Sequence, residues 1–214
     1  MRIFALLFVV ACLGACKGHE KKVLVYASDK ITVDATQQNI TIANGDGTTH
    51  YEQELDFPVG DPVTLNVTSP QGKYTVSIPD DGLYIANLKN DTVLGSKQHV
   101  GEGGGAKITQ DALQQKLDSL TKLVQDQNVS EANQNYFILP GKAAKITTET
   151  KSKVFGPFTK VPGGFDAGSV PAIYKFYSMR EMREIVANLH KMLAPPSFAA
   201  PDDSKDGAKD KKGK

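Results

Sequence analysis

Apolar and polar residues alternate with a period of two from Lys22 to about Leu94. Val23, Val25 and Ala27 alternate with Leu24, Tyr26 and Ser28, and Ile40 and Ile42 with Asn39, Thr41 and Ala43. The pattern repeats at Val63, Leu65 and Val67 against Thr64, Asn66 and Thr68, and at Tyr74, Val76 and Ile78 against Thr75 and Ser77. Successive strand side chains point to opposite faces, so this pattern predicts strands with one buried and one wetted face. Leu83–Leu88 is a further apolar-rich run. Asn44-Gly45-Asp46-Gly47 predicts a hairpin, because Asn and Gly tolerate positive φ. Pro70-Gln71-Gly72 and Pro79-Asp80-Asp81-Gly82 place Pro and Gly where turns require them. Short strands at regular spacing predict an N-terminal antiparallel β-sandwich over residues 23–100.

Gly101-Glu102-Gly103-Gly104-Gly105 breaks the pattern and reads as a flexible linker, 101–107. From Thr109 the period becomes helical. Leu113, Leu117, Leu120 and Val124 fall on one stripe, with Thr109 as the cap. Tyr136–Leu139, Lys145–Thr147, Val154-Phe155 and Ala172–Tyr177 are strand-like. Ser178-Met179-Arg180-Glu181 is a capping box ahead of a second stripe, Met182, Ile185, Val186, Leu189 and Leu193, which Pro195-Pro196 ends. Residues 108–194 therefore read as a smaller α+β domain with two amphipathic helices. From 195 to 214 the chain is polar and predicts a disordered tail, since it cannot bury enough apolar area to offset its ordering entropy. The fold class expected for the whole chain is α+β.

The N-terminus differs from all of this. Arg2 precedes an apolar run from Ile3 to about Leu13, too short for a permanent span but the size of a signal-peptide core. Leu13-Gly14-Ala15-Cys16 follows, then the charged run Lys17–Lys22. This arrangement resembles the lipobox of bacterial lipoproteins. The resemblance implies removal of residues 1–15, acylation of Cys16, and a lipidated tether over 16–22. Val9-Val10-Ala11-Cys12 fits a permissive form of the same box, at the cost of a shorter apolar core. Lys17 after the cysteine, where Asp retains lipoproteins in the inner membrane of enteric bacteria, implies an outer-membrane anchor facing the periplasm or the cell surface. The segment Val63 to Tyr84 is similar to the Ig-like and transthyretin-like modules of bacterial secreted proteins, over about a third of the chain.

Charge narrows the function classes. The 214 residues hold 25 Lys+Arg and 24 Asp+Glu, and loss of Arg2 with the signal leaves the two signs equal. Such a chain lacks the basic surplus that displaces counterions from nucleic acid, so no nucleic-acid partner is expected. The membrane is expected as a partner through the lipid, with an envelope protein or a glycan as a further partner. The two cysteines are Cys12 and Cys16, so the mature body holds no thiol for catalysis, redox chemistry or zinc.

No reaction motif stands out. Gly101–Lys107 lacks the Gly-Lys-Ser/Thr core of a phosphate loop. The four histidines, His19, His50, His99 and His190, show no zinc-ligand spacing. Asp46, Glu52, Glu54 and Asp56 read as charges guarding a strand edge rather than a calcium loop. No catalytic residue, cofactor or metal ligand is assigned. The local feature that invites a ligand is the aromatic set Tyr174, Phe176 and Tyr177, with Phe155, Phe158 and Phe165. An exposed row there could stack a sugar or a partner loop. The expected function is a non-catalytic binding or envelope-assembly role. The alternatives are an envelope hydrolase acting on glycan or peptidoglycan, which needs two carboxyl groups ~5–9.5 Å apart across a cleft, and a glycan- or small-ligand-binding module using those aromatics.

Overall fold

The computed structural model describes residues 20–47, 49–98, 109–130, 132–157, 159–160, 162 and 165–194. The signal segment 1–15, Cys12, Cys16, the Gly-rich stretch 101–107, Phe158 and the tail 195–214 lie outside the described residues. The strands are β1 (Lys21–Ala27), β2 (Ile31–Asp34), β3 (Asn39–Ile42), β4 (Tyr51–Phe57), β5 (Val63–Ser69), β6 (Gly72–Ile78), β7 (Gly82–Leu88), β8 (Val93–Gln98), β9 (Asn135–Ile138), β10 (Lys142–Thr147), β11 (Lys153–Phe155) and β12 (Ile173–Ser178). The helices are α1 (Gln110–Val124) and α2 (Met179–Leu193). The class is α+β.

Three four-stranded sheets stack in the order set by their cores. The central sheet runs β10-β7-β1-β4. One of its faces, through Val23, Val25, Leu55, Tyr84, Ala86 and Leu88, packs on the N-terminal sheet β2-β3-β5-β6. The other, through Leu24, Tyr26, Leu83, Ile85 and Ile146, packs on the C-terminal sheet β11-β12-β8-β9. The outer face of that third sheet takes Leu94, Phe137 and Tyr177 against Leu123 of α1 and Met182 of α2. The central sheet is thus covered on both sides. Every residue of β7 is buried, and so is every residue of β1 except Lys22.

Several sequence expectations change here. The sheets are mixed rather than antiparallel: β1 pairs with β7 in parallel, and β3 with β5. The central sheet, covered on both faces, tolerates its parallel β1–β7 pair because its strands need not alternate in polarity, whereas β3 and β5 pair in parallel with one face exposed. Asn44–Gly47 does not close a hairpin. It carries the chain from β3 in the N-terminal sheet to β4 in the central one. Strand pairing also crosses residues 101–107. β8, from the segment expected to be a sandwich, pairs with β9 and β12, while β10 completes the central sheet beside β7. The tether reading shortens as well, since Lys21 and Lys22 already belong to β1.

Both helix caps follow their sequence signals. Thr109 accepts a hydrogen bond from Ala112 N, and Ser178 and Glu181 form the reciprocal capping box. Of the two apolar stripes Leu117, Met182 and Leu189 are buried, with Leu123 beside the first, while Leu113, Leu120, Val124, Ile185, Val186 and Leu193 are half-buried.

A few polar ties join the layers. Asn87 of β7 is fully buried and donates from Nδ2 to Ile138 O at 2.8 Å and Asp91 O at 2.9 Å, while its Oδ1 accepts from Lys89 N at 3.1 Å. Tyr136 of β9 donates its hydroxyl to Ile146 O at 2.6 Å. That carbonyl lies where the β10–β7 register shifts, between Lys145 and Thr147. Lys21 is fully buried at the start of β1. Its ammonium donates to Asp61 O and lies 3.8 Å from Asp81 Oδ1, which also accepts from Gly60 N. Gly95 of β8 leaves room for the Phe176 ring, since a Cβ there would lie 2.3 Å from it.

Gly95→Ala should destabilise the fold by about 1–3 kcal/mol, because the Phe176 ring is fully buried and cannot swing away. Asn87→Leu strands two carbonyls and one N–H and should cost roughly 3 kcal/mol or more. Urea unfolding measures both, and wild-type midpoints in these variants would refute the packing described.

Candidate functional site

The strand directions give the stack two distinct ends. β1 and β7 run the same way, while β4, β8 and β10 are arranged so that their connections alternate between those ends. The near end holds Glu20, where β1 begins, and the connections 58–62, 79–81 and 148–152. Thr150 Oγ1 donates to Glu20 Oε2 there at 3.0 Å. The far end holds five connections: β1–β2, β3–β4, β5–β6, β7–β8 and β9–β10. Loops held on a rigid sheet scaffold are the usual place for recognition.

A groove opens among these far-end loops. One part, about 150 Å³, is lined by Asp29, Asn44, Asp46, Gln71 and Asn90 among others. The adjoining part, about 310 Å³, is lined by Tyr74, Thr75, Pro140, Gly141 and Lys142. Gln71, Leu88 and Asn90 line both. The lower limit for small-ligand pockets is about 300 Å³. Glycines shape it. A Cβ on Gly45 would fall 1.9 Å from Asp29 Oδ1, so only glycine lets the carboxylate stand there. Gly141, at φ +71°, lies against the Tyr74 ring, with a Cβ position 3.4 Å from it.

The lining is polar and largely unengaged. Among the described residues, the side-chain amides of Asn44, Gln71 and Asn90 make no hydrogen bond. Tyr74 is half-buried, and burial raises its phenol pKa. Lys89, next to Asn90 in the chain, is buried. Burial lowers its ammonium pKa, and the charges of Asp91, Glu181 and Asp29 oppose that fall. The groove therefore offers hydrogen-bond donors and acceptors beside one aromatic ring.

No family model, curated protein or solved structure matches this chain.

The aromatic residues singled out in the sequence are not gathered into one exposed row. Tyr174 and Phe176 point into the core between the central and C-terminal sheets and are 2% and 0% exposed. Alternation along β12 sends Lys175 and Tyr177 to the opposite face, toward α2. β12 lies inside its sheet with both faces covered, which is why its aromatics are packing residues. Phe155 and Phe165 meet edge to face at 5.5 Å. Tyr174 also lines a near-end cavity of about 370 Å³ and is hydrogen-bonded to Thr147. Tyr177 lines a groove of about 430 Å³ along α2 with Lys160, Lys175, Glu181 and Ile185. Three residues read as one site thus fall in a core and two separate hollows. The far-end groove was missed because its residues come from five connections, each legible only as a turn.

A second polar cluster lies between the edge strand β4 and Gly156. Lys175 donates to Gly156 O at 2.7 Å and sits 4.7 Å from the Tyr177 ring centroid. Burial lowers its pKa, against the charges of Glu181 and Glu52. On the other side of Gly156 lie Glu52 and Tyr26, whose oxygens are 2.6 and 2.9 Å from a Cβ built there. The His50 ring lies 5.9 Å from that of Tyr26, with Nε2 3.7 Å from Glu52 Oε2. Glu54 and Asp56 continue along the β4 edge, where Lys22 donates to Glu54 at 2.5 Å and lies 3.8 Å from Asp56. These carboxylates and Lys22 guard an unpaired strand edge against further pairing. Asp46 belongs instead to the far-end loops. Among the described residues no group of three His, Cys, Asp or Glu is placed to hold a metal ion.

The Tyr26 hydroxyl is buried and has no hydrogen-bond partner among the described residues. Leaving such a group unsatisfied costs about 1–3 kcal/mol, so Tyr26→Phe should match or exceed wild-type stability at pH 7. Burial, with the Glu52 charge adding, raises this phenol well above its usual pKa near 10. The folded state holds the proton more tightly than the unfolded state. Stability is therefore complete below about pH 10 and is lost as pH climbs above it. Urea titrations from pH 8 to 11 should show a shallower alkaline decline in Tyr26→Phe. A clear loss of stability at neutral pH would show that the hydroxyl is bonded after all.

Gly45→Ala should displace the Asp29 carboxylate and leave global stability within about 1 kcal/mol, since residues 44–47 are exposed. Backbone and side-chain NMR shifts confined to residues 28–30, 44–47 and 89–91 are the expected signature. Shifts spread through the core would contradict it.

Proposed function

We propose that this protein is a lipid-anchored extracytoplasmic bacterial lipoprotein with a non-catalytic binding or envelope-assembly role, tethered to the outer membrane through Cys16. The observation that carries the reading is Leu13-Gly14-Ala15-Cys16, placed after a short apolar core and just ahead of the first strand. Attachment in this reading is through acyl chains on Cys16; no described helix is long and apolar enough to cross a membrane. Each buried CH₂ contributes ~0.8 kcal/mol, and two or more chains give a stable anchor.

The tether is short. From Cys16 to Lys21 the chain reaches at most roughly 17 Å when fully extended. In this reading the near end of the stack lies close to the bilayer, and the seven residues of β1 carry the far-end groove roughly 20 Å farther out. Groove and anchor then occupy opposite ends, which supports a binding role directed away from the membrane. The glycan reading based on an exposed Tyr174, Phe176 and Tyr177 row is set aside, because two of those rings are core.

Labelling with radioactive palmitate tests the anchor. Wild type and Cys12→Ser should incorporate the label and partition into detergent, and Cys16→Ser should do neither. Label retained in Cys16→Ser, or none in wild type, would remove the reading.

A further inference from the structure

We infer that the far-end groove is a carbohydrate site, taking one or two rings of a neutral, hydroxyl-rich glycan. This deepens the binding role proposed above and does not depend on the lipid. Three features of the groove point the same way.

The first is the hydrogen-bonding inventory. Asn44, Gln71 and Asn90 each present an amide that both donates and accepts, and Asp29 presents two accepting oxygens. A sugar hydroxyl also donates and accepts, so a ring edge can engage an amide and a carboxylate at once. The amides make no hydrogen bond within the described protein, so no internal bond has to break on binding. The second feature is Tyr74. Its half-buried ring lines the wider part of the groove, backed by Gly141. An aromatic ring held in place offers an apolar body for the C–H face of a sugar and a hydroxyl at its tip. The third is charge. Asp29 and Asp46 line the narrow part and Lys142 the wide one, and arginine is absent from the lining. Phosphate or uronate groups would meet carboxylates in the narrow part, which selects against anionic ligands.

The occupant is thus distinguished from the other polar candidates by chemistry. A nucleotide or a phosphopeptide needs cationic forks that this groove lacks. Among the described residues no group of three His, Cys, Asp or Glu is placed here to hold a metal ion.

The test uses the full-length protein in detergent, together with full-length Cys16→Ser. Each is titrated calorimetrically with cellohexaose, maltohexaose, xylohexaose and N-acetylchitohexaose, and with hexagalacturonate as the anionic comparison. Saturable binding of at least one neutral hexasaccharide is expected, in preference to hexagalacturonate. Asn90→Ala and Gln71→Ala should each weaken it roughly threefold to tenfold, the equivalent of one lost hydrogen bond. Both positions are exposed, so these variants should melt with wild type. Tyr74→Ala should weaken binding more than tenfold, and Tyr74→Phe less, which separates loss of the ring from loss of the hydroxyl. Arg183→Ala, exposed on α2, should bind as wild type does. The proposal is overturned if no neutral hexasaccharide binds saturably, if hexagalacturonate binds best, or if the Asn90, Gln71 and Tyr74 variants bind unchanged. Glycan binding without palmitate incorporation would remove the anchor and keep the groove. Palmitate incorporation without glycan binding would do the reverse.

Discussion

The parallel pairing of β1 with β7, in a sheet covered on both faces, sets the terms for everything around it. A strand in such a sheet has no wetted side, so Val23, Leu24, Val25, Tyr26 and Ala27 are all buried despite their alternating directions. Two cores grow from this one sheet. Residues of one parity meet the N-terminal sheet and residues of the other meet the C-terminal sheet. The helices then cover the face of the third sheet that the central one cannot reach. The polar groups trapped in the middle layer are few, and most are tied: Asn87 to the carbonyls beside β9, and Lys21 to the loops at the start of β1. Unpaired polar atoms at such depth are expensive, which explains why one asparagine holds three backbone partners.

This constraint also explains which parts of the fold the sequence announced. β5 and β6 alternate cleanly because each packs a single face, and their buried positions are the apolar ones marked by the period of two. The helices declared themselves by stripe and cap, both local features that packing did not override. Pairing order stayed hidden. Nothing local tells β8 to leave the sheet of its neighbour β7, or β10 to return to it from beyond residues 101–107. Asn44–Gly47 carries hairpin chemistry, yet the strands on either side belong to different sheets. The turn residues specified a reversal and were silent on the partner.

The aromatic set and the groove show the same limit from two sides. Tyr174 and Phe176 are alternate positions of one strand, and alternation alone does not say whether the other face is wet; β12 is covered on both. The groove looked like five unrelated turns because its residues converge only when three sheets stack. Asn44, Gln71 and Asn90 carry no motif. What marks them is that their side chains, gathered at one end, make no hydrogen bond among the described residues.

β1 is both the chain's first described strand and the middle of its hydrogen-bonded stack, held in seven-residue register by β4 on one side and β7 on the other. That placement has a mechanical consequence. A pull on the residues preceding Lys21, resisted at the far end, acts along the strand and loads both ladders in shear. The bonds then share the force instead of opening one at a time, as they would if an edge strand were peeled. The buried Lys21 ammonium adds a clamp at the point where force enters. A chain built in this way resists extraction by its leading strand.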